Sequence, residues 1–261
     1  MTNPSQVVLG LGFATLVAPS NGDPCVAVSP SATNARIAGL LLEAGPHATT
    51  SMLVVDGAGA VLTDVFVRVG GPTTGVGPVD TMMTVNSDDV VVDNTWLWRA
   101  DHYLNPDPEG PDLLVKNGDN AVTNGFVVNG DGVRAYGLAV EHTIEDNVLW
   151  NGEDGVTVFF QAEIMYDFEG KDWGHSCYKI DGAVNRHEAS GVGCYSFFRD
   201  DDEAFATSGF DTGGNGVKKG GVEFHNAVSV KLNGGGGILN VIDSDGESVS
   251  ENGHTARNCG V

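Results

Sequence analysis

The chain has 261 residues, 41% of them hydrophobic, which suits one domain with a real core. Its 13 Lys and Arg stand against 35 Asp and Glu, a formal net charge of −22. Such a surface repels nucleic acid and anionic membranes and argues against both as partners. It leaves plain solvation, calcium or uncharged and cationic sugars.

The first apolar run is Val7–Val17, ahead of Ala18 and Pro19. It has the look of a secretory signal core, but Met1 to Gln6 contain no Lys or Arg, and the run is too short to span a bilayer. It is expected to be a buried strand. No other segment is a transmembrane candidate.

No long amphipathic helix pattern follows. Short β-rich runs recur instead, at Val61–Val69, 90–98, 125–128, 133–140, Val148–Trp150, 156–164, 184–198, 222–232 and 237–242. The turns ahead of three of them share one recipe. Asn86-Ser87-Asp88-Asp89-Val90, Asn129-Gly130-Asp131-Gly132-Val133 and Asn151-Gly152-Glu153-Asp154-Gly155-Val156 each open on Asn and enter a strand at Val. Asn and Gly accept left-handed backbone, and Asp bonds neighbouring amides. A repeated turn before a repeated strand is the mark of a solenoid. The expected fold is all-β: a single-stranded, right-handed parallel β-helix forming one domain over residues 1–261. A sandwich or jelly roll is the alternative, but it needs two-residue hairpins, and few are seen.

Four strand ends carry a carboxylate in similar settings: Asp101, Glu141, Glu163 and Glu188. Glu141 and Glu163 are 22 residues apart, Glu163 and Glu188 are 25, and Asp101 precedes Glu141 by 40, which allows for a loop at 103–124. Stacked at about 4.8 Å per strand, they would line one face as a ladder. Paired carboxylates with displaced pKa values are what glycoside hydrolysis requires. The plain alternative is a row of solvated strand-end acids. His102, His142, Trp150, Gln161, Tyr166 and His187 crowd the same segments and are candidate sugar-binding residues.

Other features carry less. Asp200-Asp201-Asp202-Glu203 has calcium-loop composition but reads better as a solvated loop, and residues 234–237 read as a flexible turn. Cys25, Cys177, Cys194 and Cys259 form no Cys-x-x-Cys pair, which speaks against zinc. Cys177 and Cys194 are placed to meet on adjacent turns, and pairing among the four stays open. No metal or cofactor is expected.

The segments Asn94-Thr95-Trp96-Leu97-Trp98-Arg99-Ala100-Asp101-His102, Ala135-Tyr136-Gly137-Leu138-Ala139-Val140-Glu141-His142, Val148-Leu149-Trp150-Asn151-Gly152-Glu153 and Phe159-Phe160-Gln161-Ala162-Glu163-Ile164-Met165-Tyr166-Asp167 resemble those of pectate-lyase-like β-helix proteins similar to family-55 glycoside hydrolases. The resemblance implies a hydrolase of β-1,3-glucan, an extracellular setting and a polysaccharide partner. Full-length members resemble two β-helices side by side, so this chain would correspond to the second, with an N-terminal half missing. A gene fragment, an excised domain and a minimal form all stay open. On local pattern Glu163 is the first choice for the catalytic acid and Glu141 the second. Asp101, His102, His142, Trp150, Gln161, Tyr166, His187 and Glu188 would contact substrate. A non-catalytic carbohydrate-binding or structural β-helix, and a polysaccharide lyase, are the rival readings. The lyase is disfavoured by the shortage of basic residues for an anionic substrate.

Overall fold

The computed structural model describes residues 1–72, 75–116, 118–214 and 221–258. Cys259 lies outside them. Every regular element among the described residues is a β-strand, and no helix there is long and apolar enough to cross a membrane.

Two sheets carry the fold. The longer one takes Val7–Val17, Arg36–Glu43, Val61–Val69, Val91–Arg99, Arg134–Glu141, Gly155–Glu163, His187–Phe198 and Ala227–Gly234, all parallel. Thr255–Asn258 closes its far end antiparallel, and Val222–His225 flanks the start of His187–Phe198. The second sheet takes Val26–Val28, Thr49–Val55, Val79–Val85, Val122–Val128, Val148–Trp150, Tyr178–Ile180 and Phe210–Asp211, again all parallel. Along the chain the two sets alternate, so each pass adds one strand to each sheet. Between them lies a continuous core of Val, Leu, Ile, Met and aromatic side chains.

The three Asn turns fall in one column. Asn86 donates to Asp56 Oδ1 at 2.8 Å, Asn129 to Asn86 Oδ1 at 2.7 Å, and Asn151 to Asn129 Oδ1 at 2.7 Å. The Asn86 and Asn129 amides each use one end upward and the other downward, so one pass fixes the next. A second column sits inside the long strands. Gly39, Asp64, Asn94, Gly137, Phe159, Gly191 and Asn226 all have φ between 50° and 67°. One left-handed residue in each strand from Arg36–Glu43 to His187–Phe198, and Asn226 at the step between Val222–His225 and Ala227–Gly234, breaks the alternation and bends the long sheet lengthwise.

Val7–Val17 is a strand as expected, but it is not buried. Val7, Leu9 and Leu11 are 66%, 61% and 82% exposed. It is the outermost strand of its sheet and has a neighbour on one side only. The loop 103–124 holds a small antiparallel pair, His102–Tyr103 with Leu113–Leu114, and the glycine run ends in a short strand, Gly237–Ile238. Cys177 and Cys194 form a disulfide that ties the second sheet to the long one, and Cys25 is free.

His187 is part of the core, not of the surface. Its ring packs against Trp150 at 4.7 Å, its Nε2 meets the Tyr178 hydroxyl at 3.1 Å, and burial pushes its pKa down to about 3. An unfolded histidine titrates near 6.5. Below that pH the unfolded chain takes up a proton that the folded one refuses, so stability falls as pH falls. The expected cost is about 1.4 kcal/mol per pH unit, or about 3 kcal/mol between pH 6.5 and 4. Urea unfolding at both pH values should show His187→Leu losing less stability than the parent by that margin. Parallel losses in the two proteins would sink the assignment.

Candidate active site

Strand register builds the site. Glu43, Arg68, Trp98, Glu141, Glu163 and Tyr195 occupy one position on successive strands of the long sheet. Two residues earlier on the same face run Leu41, Phe66, Trp96, Ala139, Gln161 and Gly193. Glu141 and Glu163 are therefore direct partners on neighbouring strands, whose backbones lie about 4.8 Å apart across the sheet.

Glu141 is nearly buried, at 7% exposure. Trp96 Nε1 donates to its Oε2 at 2.9 Å, and Gln161 Nε2 donates to its Oε1. Burial raises its pKa and the charge of Glu163 adds to this, against the lowering pull of His142 and the two hydrogen bonds. Glu163 is more open, with its side chain 23% exposed. The Tyr166 hydroxyl donates to its Oε2, and His142 Nε2 stands 3.5 Å from the same oxygen. His142 and Tyr166 pack ring against ring at 4.4 Å.

Beside the carboxylates runs a groove of about 910 Å³, lined among others by Phe13, Asp64, Phe66, Trp96, Phe159 and Gln161. It follows the bend in the sheet across six strands. Phe66 and Trp96 stack in it at 4.6 Å with an 8° interplanar angle. Phe159 holds φ at 61° and leaves its ring 68% exposed on the groove wall. A bulky residue held left-handed costs about 1–3 kcal/mol, strain of a kind that gathers at ligand-binding sites.

The LAM55 pectate lyase-like domain matches residues 1–163, more than half of the chain. The chain belongs to this family. It is 37% identical over 262 aligned residues to an exo-beta-1,3-glucanase of Streptomyces sp. (strain SirexAA-E / ActE), covering 94% of this chain and 40% of that protein. The structure of sacteLam55A from Streptomyces sp. SirexAA-E superposes with a TM-score of 0.87 at 34% identity, over 99% of this chain and 47% of the other. A variant of the same protein in complex with glucose gives 0.86 at 33% identity, with the same coverage. The chain thus spans less than half the length of the relatives it matches.

In this LAM55 pectate lyase-like chain the expected ladder is only partly formed. Glu141 and Glu163 are in it, and Gln161, Tyr166 and His142 surround them. Asp101 and His102 lie just beyond the end of Val91–Arg99. They bond each other at 3.0 Å, with the His102 ring 5.5 Å from Trp98. Glu188 is elsewhere. It pairs with Val156 and Glu223, on the far side of the Gly191 bend, and its place in the ladder is taken by Tyr195. The pass after Glu163 makes a long excursion before rejoining the sheet, so its register partner is 32 residues on, not 25. Trp150 and His187 cannot meet substrate. Both are core residues, on strands whose alternation points those side chains inward. The acidic loop binds its own chain: Asp200 pairs with Arg199, Asp201 takes the Gly170 amide, and Glu203 pairs with Lys171. No metal-holding group of His, Cys, Asp and Glu occurs among the described residues.

One element had no local signal at all. Arg99, fully buried, makes two bonds to Asp167 at 2.8 and 2.7 Å and donates to the carbonyls of Asp119, Asn120 and His142. It forms the base on which His142 rests. Trp96 and Trp98, which the sequence reading left out of the site, did carry a signal that could have found them, since they alternate with inward-facing Leu97.

Proposed function

We propose that this chain carries the acid–base machinery of a β-1,3-glucan hydrolase. The observation that carries the reading is the register pair Glu141–Glu163, set beside an aromatic groove in a chain similar to an exo-beta-1,3-glucanase. Glu163 is the proton donor to the leaving sugar oxygen, because it is the more open of the two. Glu141 has both oxygens engaged by donors, as a carboxylate prefers. It serves as base or stabilising anion. Asp101, His102 and Gln161 border the same end of the sheet and are the polar contacts for sugar hydroxyls.

The fold reading that goes with this is one right-handed parallel β-helix over residues 1–261, with the two alternating sheets as its walls. Its counterpart in a full-length enzyme is the second of two such halves, and the missing half supplies the opposite wall of the cleft. An extracellular setting accords with the disulfide between Cys177 and Cys194. A lyase acting on uronates needs free cations near the cut bond. Here Arg68 is paired with Glu43 at 3.0 Å and Arg99 with Asp167 at 2.7 Å.

Purified chain should release reducing sugar from laminarin and not from cellulose, chitosan or pectate. Cleavage of pectate would support the lyase instead. Binding to laminarin without release of sugar would make the chain a carbohydrate-binding module.

A further inference from the structure

His142 was expected to hold substrate, yet it is 3% exposed and faces Glu163 from beneath. Its backbone is pinned twice: its amide donates to the Glu163 carbonyl at 2.8 Å, and its carbonyl accepts from Arg99 Nη1 at 3.1 Å. It also holds a left-handed φ of 65°. The ring is fixed by a third contact, Nδ1 to the Arg99 carbonyl at 3.1 Å.

That contact decides the tautomer. A carbonyl oxygen only accepts, so Nδ1 must carry hydrogen. In neutral His142 the lone pair is then on Nε2. Nε2 is buried without a hydrogen-bond partner, and 3.5 Å away is Glu163 Oε2. A carboxylate facing a bare imidazole nitrogen sets lone pair against lone pair. The arrangement is satisfied only when one proton lies between Nε2 and Oε2. The other groups facing the ring do not supply it. Arg99 is bound to Asp167, and the Tyr166 hydroxyl is already directed at Glu163. Glu141, the remaining neighbour, is engaged by Trp96 and Gln161.

We propose that His142 is a positioning residue that keeps one proton in the Nε2–Oε2 pair and so holds Glu163 ready as an acid. The inference rests on the glucan-hydrolase reading for its kinetic consequence, but not for its geometry. In turnover the proton leaves Oε2 for the glycosidic oxygen as the C–O bond breaks. Water adds its hydroxyl to the sugar carbon and gives its proton to Glu141. Resetting takes one proton from solvent into the Nε2–Oε2 pair and releases one from Glu141, so the balance closes.

Two measurements test this on the intact chain. In ¹⁵N-histidine NMR, neutral His142 should show hydrogen on Nδ1, and its Nε2 resonance should move in Glu163→Gln. A neutral ring with hydrogen on Nε2, or an Nε2 resonance blind to Glu163→Gln, overturns the proposal, whatever the chain's activity. In kinetics on laminarin oligosaccharides, His142→Gln should lower kcat by about 10-fold or more. That stays within the ~10²–10⁴-fold that a general acid supplies. KM should barely change, and the alkaline loss of activity should begin at lower pH. A rise in KM with kcat kept would make His142 a substrate contact and overturn the proposal. If His142→Gln does not fold, the spectra of the parent and Glu163→Gln decide alone. If the parent cleaves no β-1,3-glucan, the functional reading fails while the spectra still decide the proton pair.

Discussion

Glu163→Gln should abolish nearly all laminarin hydrolysis, lowering kcat by ~10²–10⁴-fold, the usual contribution of general acid catalysis. Gln keeps the size of Glu and can still accept from the Tyr166 hydroxyl, so the strand register and the His142–Tyr166 packing should survive. It cannot give a proton to a leaving oxygen. The check is initial-rate kinetics beside a thermal melt, and turnover within a few-fold of the parent at unchanged Tm would remove Glu163 from the acid role. Glu141→Gln makes a useful contrast. Neutralising Glu141 relieves the burial penalty on its charge but replaces one oxygen that accepts from Trp96 or Gln161 with a donor, so it should cost activity and about 1 kcal/mol of stability.

Breaking the buried pair beneath the site should have the largest effect on folding. Asp167→Ala leaves the Arg99 guanidinium unpaired in a fully buried position, and such a loss typically costs about 3–5 kcal/mol. Arg99→Met should be at least as costly, since it also strips hydrogen bonds from the carbonyls of Asp119, Asn120 and His142. The double variant should recover part of the loss but not all of it, because those carbonyls stay unsatisfied. Urea unfolding of the three variants measures this directly. If both single variants lie within about 1 kcal/mol of the parent, the pair is not the support described.

The architecture was legible because it is repetitive. The Asn86, Asn129 and Asn151 turns announced themselves by composition, and the structure joins them side chain to side chain. The pairing of Glu141 with Glu163 was legible because no excursion intervenes between their passes, so 22 residues in sequence make one strand of register. Glu188 failed for the converse reason: a long loop intervened, and residue counting cannot see register. Trp150 and His187 failed because strand alternation leaves open which face is inward, and both side chains fall on the buried face of their strands. Arg99 and Asp167 are 68 residues apart and meet only in the folded chain.

The bend column has a further implication for redesign. From Gly39 to Phe159 its residues do two jobs: the backbone makes the corner, and the side chain, where there is one, furnishes the groove. The corner asks only for a left-handed conformation, which Gly, Asn and Asp all accept. Gly137 is a blank position in a lane where Asp64, Asn94 and Phe159 are written, and a Cβ there would meet nothing closer than 3.8 Å, whereas one at Gly39 would press to 2.8 Å on the Gly10 carbonyl oxygen. Asn or Asp placed at Gly137 would alter the groove wall while leaving the core on the other side of the strand alone. On the proposed glucan-hydrolase reading, binding preference could thus be edited at that strand independently of Glu141 and Glu163.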